Sequence, residues 1–144
     1  ITSDAGVDVL SLGGTKNGLM GAEAVITLRD VPGVEFIRKH SMQLASKMRF
    51  LSAQLLALYE GDLWQRSATH ANAMATRLAE GLGDRVLYPV ESNAVFAALD
   101  PAVATHAKET FQFYAWPGGP DQYRLMCSFD TTEQEVDALI GLLT

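Results

Sequence analysis

The chain has 144 residues, with 11 Lys plus Arg against 17 Asp plus Glu, a net charge of −6 and a pI near 4.9. That length suits one ordinary domain or two small ones with a sizeable core, and the acidic balance, without any Lys/Arg cluster, argues against nucleic acid or an anionic membrane surface as partner. Cys127 is the single cysteine, which excludes an intrachain disulfide and points to a reducing, cytoplasmic setting, while the longest apolar run, around Leu55 to Tyr59, falls far short of the ~20 residues a spanning helix needs. The chain opens on Ile1 rather than Met and runs straight into a strand-like stretch, so it reads as a piece of something longer.

Val7 to Leu12 alternates apolar and polar residues and stops at Gly13-Gly14, which predicts a strand ending in a tight turn. A second strand is expected over Ala22 to Leu28, after the small-residue segment Asn17 to Gly21, giving strand, Gly-rich loop carrying Lys16, strand. Val34 to Glu60 contains neither Pro nor Gly and predicts two helical segments meeting near Ser46 to Arg49, with Gly61 as the C-cap. Trp64, Ala68, Ala71, Ala75, Leu78 and Leu82 then recur at spacings of four, three, four, three and four, one apolar face of a helix stopped by Gly81 and Gly83.

The last third reads as a small α/β layer. Ala94 to Leu99 is a buried-strand run, with Asn93 ending the turn before it, and Pro101 can open a short helix reaching Lys108. Phe111 to Trp116 reads as an aromatic strand broken by Pro117-Gly118-Gly119-Pro120, with Tyr123 to Phe129 as its partner. Thr132 to Glu135 is a capping box, and Val136, Leu139, Ile140 and Leu143 place an amphipathic helix behind it.

Lys16 is the sharpest chemical feature, a single amine between Gly13-Gly14 and Gly18, where glycine permits close backbone approach to a flat ligand. A phosphate-binding P-loop fails on residue identity, since Thr15 precedes the lysine and Asn17 follows it, and spacing alone leaves an exposed turn lysine as the commoner reading. On the strand from Tyr123 to Phe129, Arg124, Met126 and Ser128 share one face, where a guanidinium fork could meet a carboxylate or pair at the surface. Arg49 falls at the junction of two helical segments and Thr15 beside the lysine, where its hydroxyl either donates to a ligand or stabilises the turn. His40, His70 and His106 have no metal-ligand spacing among themselves or with Cys127, and Phe111, Phe113, Tyr114 and Trp116, lacking basic neighbours, read as core.

The run Gly6 to Gly18 (G-V-D-V-L-S-L-G-G-T-K-N-G), followed by Gly21 to Val25 (G-A-E-A-V), closely resembles the cofactor-lysine segment of the low-specificity L-threonine aldolases and their phenylserine-aldolase relatives, which are fold type I pyridoxal-phosphate enzymes. The resemblance continues in order through Gln43 to Phe50 (Q-L-A-S-K-M-R-F), Val90 to Phe96 (V-E-S-N-A-V-F) and Arg124 to Thr132 (R-L-M-C-S-F-D-T-T), essentially the whole chain. It implies an α/β fold made of the end of the large cofactor domain (1–30), connecting helices (31–84) and a small C-terminal α/β domain (85–144). It also implies a lyase that cleaves β-hydroxy-α-amino acids such as L-threonine to glycine and an aldehyde by retro-aldol chemistry. In that reading Lys16 forms the Schiff base with pyridoxal phosphate, Thr15 and Arg49 contact the cofactor, Arg124 grips the substrate carboxylate, no metal is needed and the enzyme is a homodimer or homotetramer.

One departure is plain: only fifteen residues precede Lys16, whereas these enzymes carry a further half there. Residues 1–144 offer no pyridine-nitrogen partner and no ring-stacking wall, so by themselves they are expected to be inactive. The rivals are another fold type I activity, a β-eliminating lyase or an aminotransferase, and a non-catalytic remnant that only folds or oligomerises.

Overall fold

The computed structural model describes residues 2–144, which divide after Trp64 into two compact units. In the first, the alternating run becomes β1 (Val9–Gly13), paired antiparallel with β2 (Glu23–Thr27) from Val9↔Thr27 to Gly13↔Glu23. Leu10 and Leu12 face Ile26 and Ala24 on the half-buried side, as pleating requires of alternate residues, and Arg29 Nε meets Asp8 Oδ1 at 3.0 Å beyond the end of the ladder.

The Pro- and Gly-free stretch forms α1 (Val34–His40) and α2 (Met48–Tyr59), but the break between them is residues 41–47, opening five residues earlier than expected at Ser46. Met42 takes a φ of 57°, its N–H bonds Lys39 O at 3.1 Å and the Gln43 N–H bonds Arg38 O at 2.9 Å. This is the paired-bond C-terminal motif usually built on glycine, and with methionine in the left-handed position the sequence carries no signal for it. Gly61 is not left-handed; the chain bends over residues 60–62 and enters α3 (Leu63–Leu82) directly.

From Gln65 the second unit is a helical layer on one face of a three-stranded antiparallel sheet. The strands are β3 (Ala94–Ala98), β4 (Tyr114–Ala115) and β5 (Gln122–Met126), in the order β3-β5-β4. The aromatic strand shrinks to two residues because Phe113 turns into the core, although the Trp116 N–H still reaches Gln122 O at 2.7 Å. Asn93 ends the bend before β3, as expected, and also extends the β3–β5 ladder: the Cys127 N–H bonds Asn93 O at 2.9 Å and Asn93 Nδ2 donates to Cys127 O at 2.7 Å.

Ala71, Met74, Ala75, Leu78 and Leu82 are buried on α3, while Trp64, at the start of the expected stripe, stays 44% exposed. Met74, Ala75, Leu78 and Leu82 lie on the sheet face made by Val95, Ala97, Tyr123, Leu125 and Cys127, with α4 (Pro101–Ala107) adding Ala104 and Ala107 and α5 (Glu133–Leu143) adding Val136 and Leu143. Asp100 caps α4 from its side chain, and α5 has its complete capping box, with Thr132 and Glu135 exchanging hydrogen bonds. Arg77 on α3 holds Asp137 on α5 through two 2.8 Å bonds, and this pairing draws the Asp137 carboxyl below its usual range. Among the described residues no helix is long and apolar enough to cross a membrane.

Gly83, at a φ of 55°, ends α3, but Gly81 lies inside the helix, where Ile140 of α5 fills the space a side chain would take. An added Cβ would lie 2.8 Å from Ile140 Cγ1. Replacing a helical glycine by alanine gains about 1 kcal/mol of helix propensity, whereas overpacking costs about 1 to 3 kcal/mol, so Gly81→Ala should lower the melting temperature. In an Ile140→Ala background the same substitution should raise it, and thermal unfolding of the four proteins checks both signs.

Candidate functional site

Lys16 stands at the middle of one 3-10 turn (Thr15–Asn17) set between β1 and β2. Gly14 is buried beneath it, and a Cβ there would lie 2.6 Å from Ala22 O and against the Leu19 side chain, so only glycine lets the turn close this tightly on backbone. Gly18, at a φ of 108°, closes the other end, and the Leu19 N–H returns to Gly14 O at 3.1 Å. Two side chains tie the loop to the helices of its unit: the Met20 N–H bonds Gln54 Oε1 on α2 at 2.9 Å, and Asn17 Nδ2 bonds Trp64 O at 3.1 Å. The result is an exposed primary amine on a braced turn, which suits covalent attachment to an aldehyde.

Thr15 is committed within the loop. Glu23 Oε1, at the end of the β1–β2 ladder, accepts from Thr15 Oγ1 at 2.5 Å and from Thr15 N at 3.2 Å. The Thr15 hydroxyl, then its N–H, hold the Glu23 carboxyl below its ordinary range, and the Lys16 charge adds a smaller pull the same way. A hydroxyl has one hydrogen, so donation by Thr15 to a phosphate would require it to release Glu23.

Arg49 is the second residue of α2 and lies exposed, with its guanidinium carbon 4.9 Å from the Phe50 ring centroid. The first turn of α2 carries no acidic residue, and its N-cap, Lys47, makes no side-chain capping bond. The Phe50 N–H bonds Lys47 O at 3.0 Å, and the basic side chains of Lys47 and Arg49 stand at a helix start whose dipole favours an anion.

Arg124 belongs to the second unit, on the central strand, with Phe96 of β3 and Tyr114 of β4 directly opposite it. The pleat sends Tyr123, Leu125 and Cys127 into the core and Arg124 and Met126 to the open face. Trp116, expected in the core, lies half-buried on that open face with the Arg124 guanidinium carbon 5.6 Å from its ring centroid, and Tyr114 is 66% exposed there. Thr15, Lys16 and Arg49 thus share the first unit, and Arg124 stands in the second.

Sequence reasoning missed Glu23, Gln54 and Trp116, because each acts through a cross-strand or inter-element register that spacing along the chain does not reveal. His70 Nε2 lies 2.7 Å from Thr131 O, His106 Nδ1 lies 3.4 Å from Glu109 Oε2, and among the described residues no three His, Cys, Asp or Glu side chains cluster as a metal site. Burial pushes the Cys127 thiol up to about 11, which keeps it protonated and unreactive.

No protein-family model matches the chain. It is 40% identical over 146 residues to a low-specificity L-threonine aldolase of a Pseudomonas species, covering 96% of this chain, and 42% identical over 142 residues to that of Pseudomonas aeruginosa, covering 94%. The chain spans 42% and 41% of the length of these curated relatives. Its structure is similar to that of Leishmania major threonine aldolase, with a TM-score of 0.83 and 28% identity over 94% of this chain and 42% of that one.

Glu23 supplies a pH prediction for the lysine turn. Its folded-state value is depressed, so its bonds to Thr15 contribute stability above its ordinary value of 4.5 and are lost as pH falls through the lower, folded value. The Thr15 amide resonance should therefore titrate with a midpoint below 4.5, and Glu23→Gln should abolish that titration. A midpoint at or above 4.5 would contradict the geometry of the turn.

Proposed function

In sequence and in fold the chain corresponds to a portion of the low-specificity L-threonine aldolases, and from that premise we propose that it forms part of a pyridoxal-phosphate-dependent carbon–carbon lyase cleaving β-hydroxy-α-amino acids such as L-threonine to glycine and an aldehyde. The observation that carries this reading is the braced turn around Lys16, which holds an exposed primary amine on a backbone tied to Gln54 and Trp64. Lys16 Nζ would be the group that holds the cofactor through its aldehyde. Pyridoxal phosphate, when bound, supplies an electron sink for the pair left at Cα as the Cα–Cβ bond breaks.

The remaining residues bind and orient. Arg49 and the first-turn N–H groups of α2 are suited to the cofactor phosphate, and Thr15 joins them only if it releases Glu23. The fork of Arg124 holds the substrate α-carboxylate in two parallel hydrogen bonds, which fixes the orientation of the bonds at Cα. The domain division that accompanies this function is the end of the cofactor domain (1–30), connecting helices (31–84) and the small α/β domain (85–144). Exposed Phe36, Ile37, Phe50 and Leu56 suit burial between copies of the chain, in keeping with a homodimer or homotetramer, and the unpaired Cys127 suits a reducing, cytoplasmic compartment.

Two substitutions in the full-length protein test the assignment. Lys16→Ala should abolish the cofactor's yellow absorbance after dialysis and lower turnover by orders of magnitude; a pyridoxyl group fixed by borohydride on another lysine would remove Lys16 from the role. Arg124→Lys keeps the charge and loses the fork, so it should weaken amino-acid binding by about 1.5 to 3 kcal/mol while cofactor retention stays intact. An unchanged KM for L-threonine would exclude Arg124 from the site.

A further inference from the structure

The open face of the second unit's sheet is built around one guanidinium. Directly opposed residues on a pleated sheet share a face, which puts Phe96, Arg124 and Tyr114 side by side across the three strands. Trp116 follows Tyr114 by two positions and reaches Gln122 O through its N–H, so its ring falls on the same face. There the Arg124 guanidinium carbon stands 5.6 Å from the indole centroid, within cation–π range. The indole is itself held: it meets Phe96 edge-on, with centroids 4.8 Å apart at 64°, and Phe96 meets Tyr88 at 5.8 Å and 75°. Arg124 Nε is buried with no hydrogen-bond partner, and within its unit no carboxylate among the described residues pairs with the side chain. A guanidinium that has given up water at Nε without gaining an acceptor costs stability, so the aromatic stack serves the orientation of the group more than the strength of the fold.

We propose that Trp116 is the positioning residue for Arg124. Its indole face holds the guanidinium in one plane, and Phe96 and Tyr88 keep the indole from turning, so the terminal nitrogens present a fixed fork to the incoming α-carboxylate. An arginine without this support would have to lose its side-chain freedom at the moment of binding, which weakens binding and leaves the later bond-breaking step alone. The inference rests on the reading of Arg124 as the carboxylate-binding group.

The test uses the full-length protein loaded with pyridoxal phosphate and compares Trp116→Leu, Trp116→Phe and Arg124→Gln. Trp116→Leu keeps apolar bulk and removes the extended ring; it should raise both the KM for L-threonine and the calorimetric dissociation constant of glycine about five- to thirtyfold, the span of a desolvated cation–π contact, with kcat and cofactor retention unchanged. Trp116→Phe should recover most of that loss. In the Arg124→Gln background Trp116→Leu should add nothing, because there is no fork left to hold. An unchanged glycine dissociation constant in Trp116→Leu, or an equal loss in the Arg124→Gln background, overturns the role of Trp116 while leaving Arg124 in place; an unchanged constant in Arg124→Gln overturns the underlying reading as well. Should Trp116→Leu fail to fold, the Arg124 Nε–H resonance of the unsubstituted protein decides. A ring-shielded, slowly exchanging signal supports the stack, and an ordinary exposed-arginine signal refutes it.

Discussion

The alternation of faces along a pleated strand is the constraint on which both units depend. On β5 it divides one short sequence between two environments, sending Tyr123, Leu125 and Cys127 to the helices and Arg124 to the aromatic face. A slip of one residue against β3 would bury the guanidinium and expose the core side chains, so the hydrophobic demand of the core fixes where the arginine stands. The same rule acts at the end of β2. Pairing Gly13 with Glu23 brings the carboxylate back to the turn that follows β1, where it accepts from the Thr15 hydroxyl and the Thr15 N–H.

The two candidate functional regions solve opposite problems. Around Lys16 the task is to keep an exposed amine on a defined backbone, and the means are glycines where no Cβ fits, a carboxylate on Thr15 and side-chain ties from Gln54 and Asn17. Surface ion pairs would do this poorly, since water screens them, whereas backbone closure by short-range hydrogen bonds is insensitive to salt. Around Arg124 the guanidinium lies against an indole rather than a carboxylate, so its charge is left unneutralised beside the ring.

Stability and function also separate in the second unit. Its core is made of small and branched side chains on α3, α4 and α5 against one sheet face, and the bond pair from Arg77 to Asp137 lies on the helical side. The opposite face carries Arg124 with its unsatisfied Nε and the exposed Tyr114 and Met126. A local cost of that kind is tolerated where the remainder of the layer supplies ample burial.

The sequence by itself determined the elements whose signals are local. The alternation around β1, the four-three spacing of α3, Pro101 at the start of α4 and the capping box of α5 all express interactions between residues a few positions apart. Lys16 on a Gly-flanked turn between two strands was legible for the same reason. Only the tertiary structure decided the rest. The end of α1 at Met42 uses a left-handed residue that no glycine announces, Gly81 is spared for the sake of Ile140, and Trp116 lies outside the core because the register sets Tyr114 opposite Arg124 and the residue two positions on follows it to the open face. Glu23 reaches Thr15, and Trp116 reaches Arg124, across strand pairings whose register is set by burial of the whole face rather than by either residue's neighbours in the chain.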